Sequence, residues 1–278
     1  SDASGTPENG SPENSPSALS GGQAASGKDS EAFQQAAFTT IGAVALQSVR
    51  VADAKIGEVV AVIGLGLVGL LTVQLLKAAG CRVLGMDPSQ ERCRLAGELG
   101  CDATATTAAE MERLATARFS PRGVDAVILA AATKSNQPVE LAGELCREKG
   151  RVVVVGAVGM DVPRRPFYDK ELELRLSRSY GPGRYDSVYE EKGIDYPYGY
   201  VRWTERRNMA AFLDLVAQEK VQVRPLISHR FPIERATEAY DLIAGGQSDE
   251  ADEALGVVLT YPEAGAGEPG AVAAASSR

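Results

Sequence analysis

Residues 64–69 read Gly-Leu-Gly-Leu-Val-Gly and stand between two stretches of different character. Before them, residues 58–63 (EVVAVI) form a short β-branched run that suits a strand buried on both faces. After them, residues 67–79 form an apolar stretch of helical length that Gly80 can stop. A strand that turns straight into a helix through three glycines leaves few folds open. Gly64 permits the tight turn, Gly66 lets the backbone approach a pyrophosphate, and Gly69 lets the helix lie close on the strand. The helix then offers free N–H groups and the positive end of its dipole to phosphates.

The alternation continues along the chain. Strands are expected over residues 81–86, 102–105, 124–130 and 151–155, with helices over 90–99, 108–118 and 139–148. A sixth strand is expected within 172–179, then a helix over 204–218, a strand over 226–230, a helix over 233–243 and a last strand over 256–261. Strands alternating with helices imply right-handed βαβ units and a parallel sheet covered on both faces. The expected fold is α/β, a doubly wound parallel sheet of the Rossmann kind in the order 3-2-1-4-5-6.

The second strand ends at Asp87, eighteen residues after Gly69. An acid there can accept hydrogen bonds from both hydroxyls of an adenosine ribose and would repel a 2′-phosphate, which favours NAD over NADP. Arg92 and Arg94 pull the other way. Strand, glycine loop and terminal acid together point to a dinucleotide site. A methyltransferase using S-adenosylmethionine also has a glycine loop and an acid after its second strand. No catalytic motif of that class follows the fourth strand, where Ala130-Ala131-Ala132-Thr133 stands.

Composition narrows the class. Among the first thirty residues, Ser, Gly and Pro number 8, 5 and 3, too polar and small to offset the entropy of ordering. Residues 1–32 are therefore expected to be a disordered arm or linker, 33–261 the dinucleotide-binding domain, and 262–278, rich in Ala and Gly, a disordered tail. The chain starts with Ser, as a processed product or a fragment would. A net charge of -8 argues against a nucleic-acid backbone as partner. No apolar run is long enough to span a bilayer, and no secretory signal opens the chain. Cys81, Cys93, Cys101 and Cys146 are far apart and there is a single His, so no metal site is expected. The thiols read as small core residues of a reduced, cytoplasmic protein.

From Ala36 onward the order of segments resembles the medium-chain dehydrogenase/reductase superfamily, which contains the zinc alcohol dehydrogenases. AAFTTIGAVALQSVR (residues 36–50) resembles the helix leading into that family's coenzyme domain, and PLISHRFPIERATEAYDLI (225–243) its closing segment. SRSYGPGRYDSVYEEKGIDYPYGYVRWTERRNM (177–209) resembles a narrower branch, the bi-domain oxidoreductases, associated with bacterial polysaccharide metabolism. The resemblance covers residues 35–261. It implies that Gly64, Gly66 and Gly69 hold the pyrophosphate, with backbone contacts from Leu65, Leu67 and Val68. It places Asp87 at the adenosine ribose with Arg92 beside it, and Ala130 and Ala131 near the same sugar. It brings Thr40 toward the nicotinamide and sets Gly156, Ala157 and Val158 against the carboxamide. It also implies a homodimer through the edge strands of coenzyme domains.

The departures matter as much. The family's N-terminal catalytic domain is missing, Ala36 stands where its last catalytic zinc cysteine would, and the four-cysteine zinc lobe and the sugar-oxidoreductase half are absent. The implied activity is a zinc-independent, NAD(H)-dependent oxidation or reduction of an alcohol or carbonyl, such as a sugar or polysaccharide precursor. The alternative is a catalytically incomplete NAD(H)-binding module that regulates or scaffolds a partner. In either case a missing catalytic domain or partner subunit is implied.

No catalytic residue can be assigned from the sequence. His229 suits a general base at neutral pH, but a structural role near the closing segment is the favoured reading, because no partner can be named. The stretch from Tyr180 to Trp203 holds seven aromatic residues with four glycines. It could stack on a sugar ring, pack on a missing domain, or form an ordered surface loop. Arg178, Arg184 and Arg202 could bind an acidic sugar there or be solvated. Lys134 and the pair Arg164-Arg165 read as loop charges.

Overall fold

The computed structural model describes residues 27–244 and 254–261. The tail 262–278 and most of the arm 1–32 lie outside the described residues. Helix α1 (Gly27–Ala36) begins a few residues inside the stretch read as an arm.

Six parallel strands form the main sheet in the order β3-β2-β1-β4-β5-β6. They are β1 (Val59–Ile63), β2 (Arg82–Met86), β3 (Ala103–Ala105), β4 (Val124–Leu129), β5 (Cys146–Val154) and β6 (Glu173–Leu176). The expected order is the one found. Strand β1 is buried at all five positions, which is why it reads as a continuous apolar run. Val60 and Val62 face one core with Ala126 and Ile128, covered by α2 (Thr39–Val51), α3 (Leu67–Ala78), α4 (Gln90–Glu98) and α9 (Glu205–Ala217). Ala61 and Ile63 face the other with Val127 and Leu129, covered by α5 (Ala108–Leu114), α6 (Gln137–Leu145) and α7 (Arg164–Asp169).

Three expectations are corrected. The helix expected over 139–148 ends at Leu145, and the strand begins at Cys146. The Lys170 ammonium donates to the carbonyls of Gly143, Glu144 and Cys146, taking up acceptors that a further helical turn would have satisfied. Arg164-Arg165 open α7 instead of a loop, because Pro166 is tolerated in a first helical turn. The helix expected through Arg118 changes after Leu114 into one wider turn, Ala115–Phe119.

Past α8 (Ser187–Glu190) and α9, strands β7 (Ile227–Pro232) and β8 (Gly256–Thr260) pair in parallel as a separate two-stranded sheet, with α10 (Ala236–Ile243) on it. No helix among the described residues is long and apolar enough to cross a membrane.

Candidate dinucleotide-binding site

The carboxyl ends of β1, β2, β4 and β5 bring Gly64, Asp87, Ala130 and Gly156 to one edge of the sheet. Gly64 has φ +95°, and a Cβ there would stand 2.5 Å from the Ala131 nitrogen. A Cβ on Gly69 would collide with the Gly64 carbonyl oxygen, and one on Gly156 with that of Ala131. A Cβ on Gly66 would meet no atom within 4 Å. Gly64, Gly69 and Gly156 thus serve the protein's own packing. Gly66 opens onto free space at the head of α3.

Gly66 is the N-cap of α3 and no side chain caps that helix. The Leu70 N–H donates to the Gly66 carbonyl at 2.9 Å. The N–H groups of Leu67, Val68 and Gly69 have no carbonyl behind them in the helix, which leaves a first turn suited to an anion. The N–H of Leu65 is differently employed: it donates to Asp87 Oδ2 at 2.8 Å, and the Leu65 side chain is fully buried.

Asp87 is itself buried, and its Oδ1 accepts the Ser89 N–H at 3.0 Å. Ser89 in turn caps α4 by accepting the Arg92 N–H. The Arg92 guanidinium lies 3.8 Å from Asp87 Oδ2. Two accepted N–H bonds leave a lone pair on each carboxylate oxygen for a diol. The bond from Leu65 ties the acid to the glycine loop, a link invisible in the sequence because the two residues lie 22 apart.

Thr40 is exposed on the first turn of α2. The other end of that helix lies toward the amino ends of the strands: Arg151 of β5 donates to the Asp53 carbonyl just past it and to Glu58 just before β1. Thirteen residues at 1.5 Å each separate those ends by about 20 Å, so Thr40 sits on the carboxyl-edge side. Ala157 is exposed and its carbonyl accepts the Thr133 N–H, while Val158 rests against the second core. Lys134, next to Thr133 in the loop after β4, is exposed.

His229 lies on β7, with Nδ1 2.9 Å from Ser228 Oγ and its ring stacked on Phe231. Among the described residues no group of three His, Cys, Asp or Glu is arranged to hold a metal ion. The four cysteines are buried and unpaired with one another. Two recesses lie elsewhere, one beside Phe167 and Glu171 and one of about 340 Å³ beside Arg122, Cys146 and Lys170; neither touches the glycine loop.

The segment after β6 is an ordered scaffold tied by its own side chains. Tyr189 stacks on Tyr196 and donates to Thr204 Oγ1, and Tyr196 donates to Asp186 at 2.5 Å. Arg207 pairs with Asp195. Asn208 is fully buried, donating to Gln47 and to the Tyr180 carbonyl and accepting from Arg50. Burial, and then the nearby Glu190, raise the Glu205 carboxyl above its ordinary range. The roles of Gln47, Arg50 and Asn208 were not signalled by the sequence, since the contacts span more than a hundred residues.

A doubly wound sheet with an uncapped glycine-loop helix and a buried acid after its second strand defines a nucleotide-binding Rossmann domain. The sequence family described as zinc-binding dehydrogenase matches residues 68–191. The chain is 33% identical over 123 residues to an alcohol dehydrogenase of Geobacillus stearothermophilus, covering 44% of this chain and 35% of that protein. It is 25% identical over 202 residues to sorbitol dehydrogenase of Mus musculus, covering 71% and 49%. The structure of alcohol dehydrogenase TADH from Thermus sp. ATN1 superposes with a TM-score of 0.64 at 25% identity, over 82% of this chain and 58% of that one. By these matches the chain is similar to the coenzyme domain of the medium-chain, zinc-type alcohol dehydrogenases, an oxidoreductase family that uses pyridine nucleotides. It spans about half the length or less of these curated relatives.

Proposed function

We propose that the chain binds NAD(H) along the carboxyl edge of its sheet and is the coenzyme half of a zinc-independent oxidoreductase acting on an alcohol or carbonyl. The observation that carries the reading is Asp87, a buried carboxylate fixed by the Leu65 and Ser89 N–H groups with a lone pair left on each oxygen. A ribose diol satisfies those lone pairs, whereas a 2′-phosphate would meet a negative charge in their place. Arg92, 3.8 Å away, is directed at the same carboxylate.

The residues present fit a dinucleotide. Gly66 and the first turn of α3 would hold the pyrophosphate, with backbone contacts from Leu67, Val68 and Gly69. Ala130 and Ala131 would floor the crevice, and Gly156, Ala157 and Val158 would meet the carboxamide. Thr40 would stand on the nicotinamide side. The bound cofactor would supply the hydride chemistry, and the protein its binding and orientation. The zinc-independent reading is supported by Ala36, at the position of a zinc cysteine in the resemblance, and by the scattered burial of the four thiols. Reduced thiols also suit the cytoplasm. A sugar or polysaccharide precursor as substrate follows from the likeness of residues 177–209 to the bi-domain branch. A homodimer would form through the edge strand β6, where Leu174 and Leu176 are exposed.

The test is a titration with NADH followed by energy transfer from Trp203, the only tryptophan, with NADPH in parallel. Saturable binding that favours NADH is expected. Absence of binding by either nucleotide overturns the cofactor assignment.

A further inference from the structure

Between β6 and α9 the arginines and aromatic rings interleave. Tyr185 takes the guanidinium of Arg178 at 4.3 Å and that of Arg184 at 4.3 Å, and Arg184 also reaches the Tyr180 ring. Trp203 takes Arg50 at 3.3 Å and Arg202 at 3.8 Å from its centroid, and Arg202 reaches Tyr198. Two guanidiniums cannot share one face of an indole at those distances, so they sandwich it. One such contact per about 70–80 residues is usual, yet two linked series fall in this one segment.

Pairing divides these arginines. Arg184 pairs with Glu190, although its Nε is buried without a hydrogen-bond partner. Arg178, Arg202 and Arg50 have no carboxylate partner among the described residues; Arg50 donates only to the Asn208 amide oxygen. Burial and the facing charge of Arg202 lower the Arg50 pKa to about 10, a sign that the two cations are held together without compensation.

Position gives the cluster its meaning. The Ser177 N–H donates to Val154, continuing the ladder of β6 onto β5, so Arg178 emerges at the carboxyl edge next to Gly156. The glycine loop and Asp87 assign the adenosine half of the crevice to β1 and β2, which leaves the β4–β6 side for nicotinamide and substrate. The Ser177 hydroxyl there is buried with no partner. Guanidiniums without a carboxylate partner, held in place on aromatic rings at the substrate side of the crevice, suit an anionic group on a hydroxylated ligand.

We propose that Arg178 on the Tyr185 ring and Arg202 on the Trp203 ring recognise the phosphate or carboxylate of a hydroxylated substrate. This rests on the oxidoreductase reading above and names its substrate class. The NADH-saturated chain and the cofactor-free chain are titrated calorimetrically with D-glucose 6-phosphate, D-glucuronate, D-glucose and inorganic phosphate. Both anionic sugars are expected to bind, at least about tenfold more tightly than glucose. Preference for glucose 6-phosphate assigns the anion as phosphate, and preference for glucuronate as carboxylate. Arg178→Gln and, separately, Arg202→Gln are expected to weaken the anionic sugars by about tenfold while NADH affinity stays unchanged. Equal binding of all sugars, binding by neither anionic sugar, binding of inorganic phosphate alone, or anion binding unchanged in both variants overturns the proposal. If the anionic sugars bind and NADH does not, the cofactor reading falls and the anion site stands.

Discussion

At Gly69 an added methyl group would strike the Gly64 carbonyl oxygen, whereas at Gly66 it would point into open space. The two glycines therefore answer to different demands, the first to helix–strand packing and the second to whatever approaches the helix. Gly69→Ala is expected to lower the midpoint of thermal unfolding by several degrees, through backbone displacement costing about 1–3 kcal/mol. Gly66→Val is expected to leave that midpoint nearly unchanged and abolish NADH binding; calorimetric melts and the fluorescence titration read the two effects. Asp87 combines both demands, because its Oδ2 also holds the Leu65 N–H. Asp87→Asn keeps an acceptor oxygen and removes the charge. The ratio of NADPH to NADH dissociation constants is expected to fall about tenfold, with NADH itself weakened. An unchanged ratio would remove Asp87 from the ribose.

Helices α2 and α9 meet so closely that a Cβ on Gly42 would enter the Phe212 ring, and Phe212 is fully buried. This contact, with buried Asn208 bridging Gln47, Arg50 and the Tyr180 carbonyl, fastens the segment after β6 onto the sheet's outer layer. Phe212→Ala is expected to cost about 3–5 kcal/mol in urea unfolding. Its effect should exceed that of truncating Leu213, which is 39% exposed one position along. The same segment shows where element-scale reading from sequence stops. Its glycines and tyrosines announced an aromatic loop, but which tyrosines would face inward depended on partners such as Thr204 and Asp186, met only after the chain folds back.

Across the whole molecule, the four thiols lie inside the two cores and titrate as buried groups. Burial raises all four, with Cys101 and Cys146 pushed up to about 12. Their folded-state values exceed those of the unfolded chain, so the stability they contribute is fully present below about pH 8.5 and is lost as pH rises through the window toward 12. Urea midpoints measured at rising pH above about 9 should therefore decline, and less steeply in the Cys101→Ala, Cys146→Ala double variant. Equal slopes would mean that other groups govern alkaline stability. The separate β7–β8 sheet belongs to the same scale: its strands lie nearly thirty residues apart and pair with each other, not with the main sheet.

The sequence by itself determined the sheet and its order, because burial on both faces writes β1 and the carboxyl ends of β4 (126–129) and β5 (152–154) as apolar runs that alternate with helices carrying their own stops. It also determined the glycine loop and the acid after β2, because turn geometry and strand ends are local. The end of α6 was not local: it was decided by Lys170, which reaches the helix from the end of α7. The Asp87–Leu65 bond, the Asn208 junction and the pairing of arginines with aromatic rings were likewise decided only by tertiary structure. Hydrogen bonds and cation–π contacts depend on where distant side chains meet, and residue spacing along a chain carries no record of that.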